Sequence, residues 1–361
     1  MTSRDRVLTA FAHEEPDRVP CWCGASDEFW AKAKRRLRLE DEPLRMRLGD
    51  DFRRVFARDA SPQRPLAPGA TCRSIFGIER HGLGYGQPLS HPLQGATLKQ
   101  VHDYSWPDPK WMDVSRIRGE ALAWKGHYAI LGGDWSPFWH DAIDLLNMEN
   151  LYLVAYDQPE LLDAVLQHVV DYYAAVSQRI FDVAGEALDI FFIGNDFGSQ
   201  TGPLMSAAMF RRFFLPHVKR LIDLGHQYQL KVMLHCCGGY QPLIPAMIEA
   251  GLDGLHAVQP GCTGMDLARL KTDFGKKILF NGAIDSQHIL IDGTPSSVRE
   301  GTRKVLETMM SGGGYVAGAS HDWILEETPV ENVLAMFDAI REFGGYNMHQ
   351  RPCSCNPDNP G

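Results

Sequence analysis

Eight short apolar runs, most of them separated by stretches with helical spacing, restrict this chain to a small set of folds. The runs centre near residues 20, 54, 130, 191, 233, 256, 279 and 316. Parallel neighbours in a sheet need a long crossover, usually a helix, so strand–helix alternation of this kind predicts a parallel sheet covered by helices. No G-x-G-x-x-G follows the first run. The α/β class expected is therefore a closed (β/α)8 TIM-type barrel rather than a doubly wound sheet.

Helical periodicity predicts helices over 3–13, 27–38, 110–125, 142–154, 158–184, 205–227, 240–250, 264–273, 295–311 and 329–344. Residues 19–23 and 51–57 read as the first two strands. Residues 58–108 carry many Pro and Gly and little periodicity, and read as a long loop or hairpin insertion of the kind that walls a pocket. The expected organisation is one barrel over 1–345 and a tail over 346–361 that holds Cys353 and Cys355.

Bulk properties narrow the function classes. The formal net charge is -9 and there is no long basic run, which argues against nucleic acid and anionic membrane as main partners. No apolar stretch is long enough to span a bilayer and the charged N-terminus lacks a signal core, so a cytoplasmic location is expected. In such a setting the eight cysteines are expected as free thiols or metal ligands rather than disulfides.

The most chemical stretch is Lys231 to Gly239, an apolar run that ends in His235-Cys236-Cys237-Gly238-Gly239. Side chains alternate along a strand, so His235 and Cys237 point to one side, where an imidazole and a thiolate can share zinc. Cys236 points the other way and packs as a small hydrophobe. The alternative is a buried structural histidine beside inert thiols. In a (β/α)8 barrel the reactive groups lie where strands run into helices. That rule selects Asp134, Asp196 and Asp285 as candidate catalytic groups, and Asn195, Gln200, His256 and Asn281 as candidate substrate contacts. Any of the Asp and Asn residues could instead cap a helix. His321, at the end of the last strand, is the candidate third metal ligand beside His235 and Cys237, with Asp322 as its rival.

Several motifs resemble one family. Arg4-Asp5-Arg6-Val7, Glu15-Pro16-Asp17-Arg18-Val19-Pro20, the His235-Cys236-Cys237-Gly238 strand end and Phe280-Asn281-Gly282-Ala283-Ile284-Asp285 are similar to the uroporphyrinogen decarboxylase superfamily. So are Gly314 to Gly318 and Thr328-Pro329-Val330-Glu331-Asn332-Val333. The resemblance implies a (β/α)8 barrel and two chemistries. The decarboxylase branch is metal-free and grips a polycarboxylate with arginines after the first strand, where this chain has Cys21 to Asp27 and no arginine. The other branch is the cobalamin-dependent methyltransferases, which hold zinc on an H-x-C strand end plus a third cysteine. Here His235 and Cys237 match, and Gly318 to Asp322 stands where the third cysteine would be.

The resemblance thus implies a zinc-dependent methyltransferase that moves a methyl group between a corrinoid on a partner protein and a small-molecule acceptor or donor. Its expected cofactors are Zn2+ and a partner-supplied corrinoid (cobalamin), and a homodimer is compatible with it. A metal-free carboxy-lyase acting on a smaller acid and a non-catalytic corrinoid- or tetrapyrrole-binding barrel are the competing readings.

Overall fold

A computed structural model of the chain describes residues 1–62, 64–82 and 86–346. Cys353 and Cys355 lie outside the described residues. Seven parallel strands carry the fold among the described residues: β1 (Phe52–Arg54), β2 (Ala129–Gly132), β3 (Ile190–Gly194), β4 (Lys231–His235), β5 (Gly254–Val258), β6 (Leu279–Ile284) and β7 (Tyr315–Ala319). Their order along the chain, with helices between successive strands, is the (β/α)8-type pattern expected from the sequence. Contacts group the chain into two compact units, Arg53–Met265 and the segments 1–52 and 266–361.

In the unit Arg53–Met265, β2 to β5 pair in parallel in chain order. The register sets Gly194, His235 and His256 side by side at the strand ends. All five residues of β3 and all five of β5 are buried, as strands covered on both faces require. The helix expected over 142–154 divides at Asn147, whose backbone takes φ 69° and whose side chain accepts the Glu149 N–H. This yields Phe138–Leu146 and Met148–Asp157, ahead of the long helix Pro159–Ala184. The helix expected over 205–227 contains a widened π turn at Phe210–Phe214, just before Pro216, which has no N–H to continue the ladder.

The 58–108 insertion has structure of its own. Cys72–Arg73, Glu79–His81 and Gln87–Pro88 form a small antiparallel sheet, and Arg58–Asp59 pairs with Met112–Asp113. Arg80 of this sheet makes an ion pair with Asp144 on the helix Phe138–Leu146. A cavity of about 600 Å³ lies in the insertion, lined in part by Arg73, Phe76, Tyr104, Trp106 and Trp111.

In the other unit, β6 and β7 pair in parallel. The strand expected over 19–23 is reduced to a single parallel bridge between Cys21 and Ala317. Pro20 supplies no N–H, and the Cys21 N–H is taken by Asp51 at 2.7 Å, so no longer ladder can form there. The helix Ser3–Phe11 is capped by Thr2, which forms a reciprocal capping box with Asp5. A helix that the periodicity did not reveal, Asp41–Leu48, follows Asp27–Leu37. No helix among the described residues is long and apolar enough to cross a membrane.

Asp51 organises the N-terminal part of this unit. Its carboxylate is fully buried and receives Arg6, two nitrogens of Arg18 and the Cys21 N–H, at 2.7–2.9 Å. Removing one partner of such a group leaves charges buried without compensation. Asp51→Ala is therefore expected to lower stability by about 3–5 kcal/mol, measured by denaturant unfolding. A loss within 1 kcal/mol of zero would mean the cluster is not holding the unit together.

Candidate metal centre

Three donors converge where β3 and β4 end. Cys237 Sγ lies 3.2 Å from His235 Nε2, and His235 Nε2 lies 3.3 Å from Asp196 Oδ1. The ligand atoms of Asp196, His235 and Cys237 all lie within 4.8 Å of one another. Asp196 Oδ1 also accepts the Cys237 N–H at 2.7 Å, which ties the tip of β4 to the tip of β3. His235 is 4% exposed, while Asp196 and Cys237 keep partial access to solvent. Cys236 turns away, fully buried, and accepts the Phe197 N–H at 3.3 Å.

The glycines at these strand ends have separate reasons. Gly238 adopts φ 85°, and a Cβ there would come within 2.6 Å of the Gly198 backbone. A Cβ on Gly198 would come equally close to the Cys237 carbonyl oxygen. Only bare backbone allows these two strand ends to approach. Gly194 serves the site in another way: a Cβ there would sit 2.0 Å from the Trp135 ring, which packs 5.4 Å from the His235 ring. Arg54 in turn lies over Trp135 and Phe192.

Outer contacts orient the donors. His235 Nδ1 is 3.0 Å from His256 Nδ1, and His256 is fully buried. Gln259 Oε1 accepts the Gly238 N–H at 3.1 Å. Asp196 Oδ2 faces His140 Nε2 at 3.3 Å. Burial works against charge on Asp196, but His235 and His140 outweigh it and hold the carboxyl far below the usual range. Burial likewise opposes charge on the His235 ring, while Cys237 and Asp196 hold its pKa well above the ordinary imidazole value. The site is thus built to carry positive charge between a carboxylate and a sulfur.

The remaining sequence candidates fall in different places. Asp134, after β2, receives the Ser136 N–H at 3.2 Å, and its own N–H donates to Ser177 Oγ at 3.0 Å. Asn195 is fully buried. Its Oδ1 accepts the Trp139 N–H at 2.9 Å and its Nδ2 donates to the Ser136 carbonyl at 3.1 Å, so its amide is spent on backbone. Gln200 is exposed in a turn, where its carbonyl accepts the Thr263 N–H. Asp285, Asn281 and His321 belong to the other unit. Asp285 caps the turn Ser286–Ile291 by accepting the Gln287 and His288 N–H groups. Asn281 is fully buried in β6, and His321 Nδ1 accepts the Trp323 N–H at 3.1 Å. Trp135, His140, Arg54 and Gln259 were not assigned roles from sequence. Trp135 and Gln259 closely follow the strands β2 and β5, where the strand-end rule could have found them, whereas no local spacing marks His140 or Arg54.

Comparison with known proteins identifies the family. The uroporphyrinogen decarboxylase (URO-D) family profile matches residues 114–343. The chain belongs to the uroporphyrinogen decarboxylase family. Within it, the chain is 24% identical over 270 residues to the methylated-thiol–coenzyme M methyltransferase of Methanosarcina mazei, spanning 72% of this chain and 67% of that protein. It is also 24% identical to the uroporphyrinogen decarboxylase of Alkalilimnicola ehrlichii, over 94% of this chain and 93% of the relative. A solved methyltransferase from Methanosarcina mazei superposes with a TM-score of 0.68 at 19% identity, covering 95% of this chain and 99% of that one. The fold is shared with that structure. The family contains enzymes of two chemistries, and both appear among these relatives at similar identity.

Burial pushes the Asp134 carboxyl up from 3.8 to about 6, against smaller opposing effects of the Ser136 N–H and Arg54. A raised folded-state pKa means that the folded chain holds a proton between about pH 4 and 6 that the unfolded chain releases. The ionised form therefore costs stability above pH 6, and the cost disappears as pH falls toward 4. Asp134→Asn is expected to raise stability at pH 8 by about 1–2 kcal/mol, after allowance for partial exposure. The gain should vanish near pH 4, as followed by thermal unfolding of both proteins across that range. A difference independent of pH would contradict the assignment.

Proposed function

We propose that this chain is a zinc-dependent methyltransferase that moves a methyl group between a corrinoid, carried by a partner protein, and a small-molecule acceptor or donor. The observation that carries the reading is the donor set Asp196 Oδ1, His235 Nε2 and Cys237 Sγ. Ligands around a tetrahedral zinc are separated by roughly 3.3–3.8 Å, given zinc–ligand distances of about 2.0–2.3 Å. The two separations through His235 Nε2, 3.2 and 3.3 Å, are close to that range. A carboxylate, a thiolate and a neutral imidazole together balance a dipositive ion. Three protein ligands leave a fourth position for a substrate, which is the arrangement of catalytic rather than structural sites.

Bound zinc would act as a Lewis acid that keeps a substrate thiol ionised at neutral pH. The chain's own residues do the rest. For His235 to bind through Nε2 its proton must sit on Nδ1, and His256 Nδ1 at 3.0 Å is placed to accept it. Asp196 serves as a ligand through Oδ1, and the Cys237 N–H donates to that same oxygen, so β3 and β4 are locked in one geometry. Trp135 covers the His235 ring and keeps water from that side. Asp134, with its raised pKa, can hold or release a proton near neutral pH. This assignment draws its donors from one compact unit, with Asp196 in the role that the sequence reading gave to His321.

The full-length match to a uroporphyrinogen decarboxylase favours a second reading, a metal-free carboxy-lyase of a small acid. Metal analysis of the purified protein separates the two. The first reading expects about one zinc per chain, lost in both Cys237→Ala and His235→Ala, and methyl transfer from free methylcobalamin to a thiol that fails in the same variants. No zinc in the wild type after zinc is supplied, together with carbon dioxide release from a small acid, would overturn it.

A further inference from the structure

Asp196 has two carboxylate oxygens, and they face different partners. Oδ1 meets His235 and Cys237, whereas Oδ2 lies 3.3 Å from His140 Nε2. The terminal torsion of an aspartate is soft and roughly two-fold, so an unrestrained carboxylate can exchange its oxygens or swing away. We propose that His140 is a positioning residue of the metal centre: its Nε2–H holds Asp196 Oδ2, so that Oδ1 stays turned toward His235 and Cys237 as a donor. The inference rests on the metal reading above.

The fold places His140 there by construction. Asn195, the residue before Asp196, clamps the start of the helix Phe138–Leu146 through the Ser136 carbonyl and the Trp139 N–H. Its own N–H donates to the His235 carbonyl at 2.9 Å. One buried residue therefore registers three things, through its backbone N–H and its side-chain amide: the tip of β3, the tip of β4 and the first turn of the helix that carries His140. Within that turn the His140 Nδ1 is buried and has no hydrogen-bond partner among the described residues. A proton on Nδ1 would be a buried donor with nothing to receive it, so the proton belongs on Nε2, facing Asp196. The rest of the ring is open to solvent, with the side chain 42% exposed. His140 is thus poorly placed to support the core and well placed to steady one carboxylate.

Outer partners of metal ligands typically contribute 10–100-fold to affinity. The test measures zinc affinity by chelator competition for wild type, His140→Ala, His140→Gln, Asp196→Asn and the His140→Ala/Asp196→Asn double variant. His140→Ala is expected to weaken zinc about 10–100-fold with stoichiometry and metal-free thermal stability unchanged. His140→Gln, which keeps a side-chain N–H donor, should recover most of the loss. In the Asp196→Asn background, His140→Ala should add nothing, because its effect passes through that carboxylate. Equal affinity in wild type and His140→Ala overturns the inference, as does a loss that persists undiminished in the Asp196→Asn background. A wild type that binds no zinc is a different outcome: it overturns the metal reading itself.

Discussion

Everything at the candidate centre depends on one contact, the 2.7 Å hydrogen bond from the Cys237 N–H to Asp196 Oδ1. It joins the ends of two adjacent parallel strands whose register already places His235 beside Gly194. Parallel pairing alone aligns backbones and leaves the side chains beyond the last rung unconstrained. The carboxylate adds that constraint, and the bare backbones of Gly198 and Gly238 let the two tips come close enough for it to form. The same oxygen then faces His235 Nε2, so a structural tie and a donor position coincide.

The electrostatics follow from that placement. A carboxylate and a sulfur set around one buried imidazole create a site that is short of positive charge, and the opposite shifts of Asp196 and His235 express this. A proton on the ring meets the shortage in the metal-free protein; a dipositive ion would meet it more fully, with release of that proton. Asp51 in the other unit solves a similar problem in a closed form. Two arginines and a backbone N–H satisfy it completely, so it can hold structure but has no capacity left for a ligand.

Much of the fold was legible because its signals are local. Seven of the eight expected strands are present, and the long helices fall near their expected ranges, since apolar period and caps are written within a few residues of each element. The eighth failed at Pro20 and at a hydrogen bond to Asp51, thirty residues further along the chain. The insertion's antiparallel sheet was only partly visible, because its strands are two or three residues long. At the site, His235 and Cys237 were readable from strand alternation in one motif. Asp196 was visible as a strand-end carboxylate, but not as their neighbour. His140 could not be read at all: its relation to the donors exists only after the strands and its helix have packed. Asn195 and Asp285 show the converse, polar strand-end residues whose side chains are committed to backbone groups.

The central claim is that one sulfur, one imidazole and one carboxylate of this chain form a metal centre. X-ray absorption at the zinc edge of the zinc-loaded protein tests it most directly. The account predicts a single sulfur neighbour at about 2.3 Å, with the remaining neighbours nitrogen or oxygen at about 2.0–2.2 Å. A shell with two or more protein sulfurs, or with none, would contradict it.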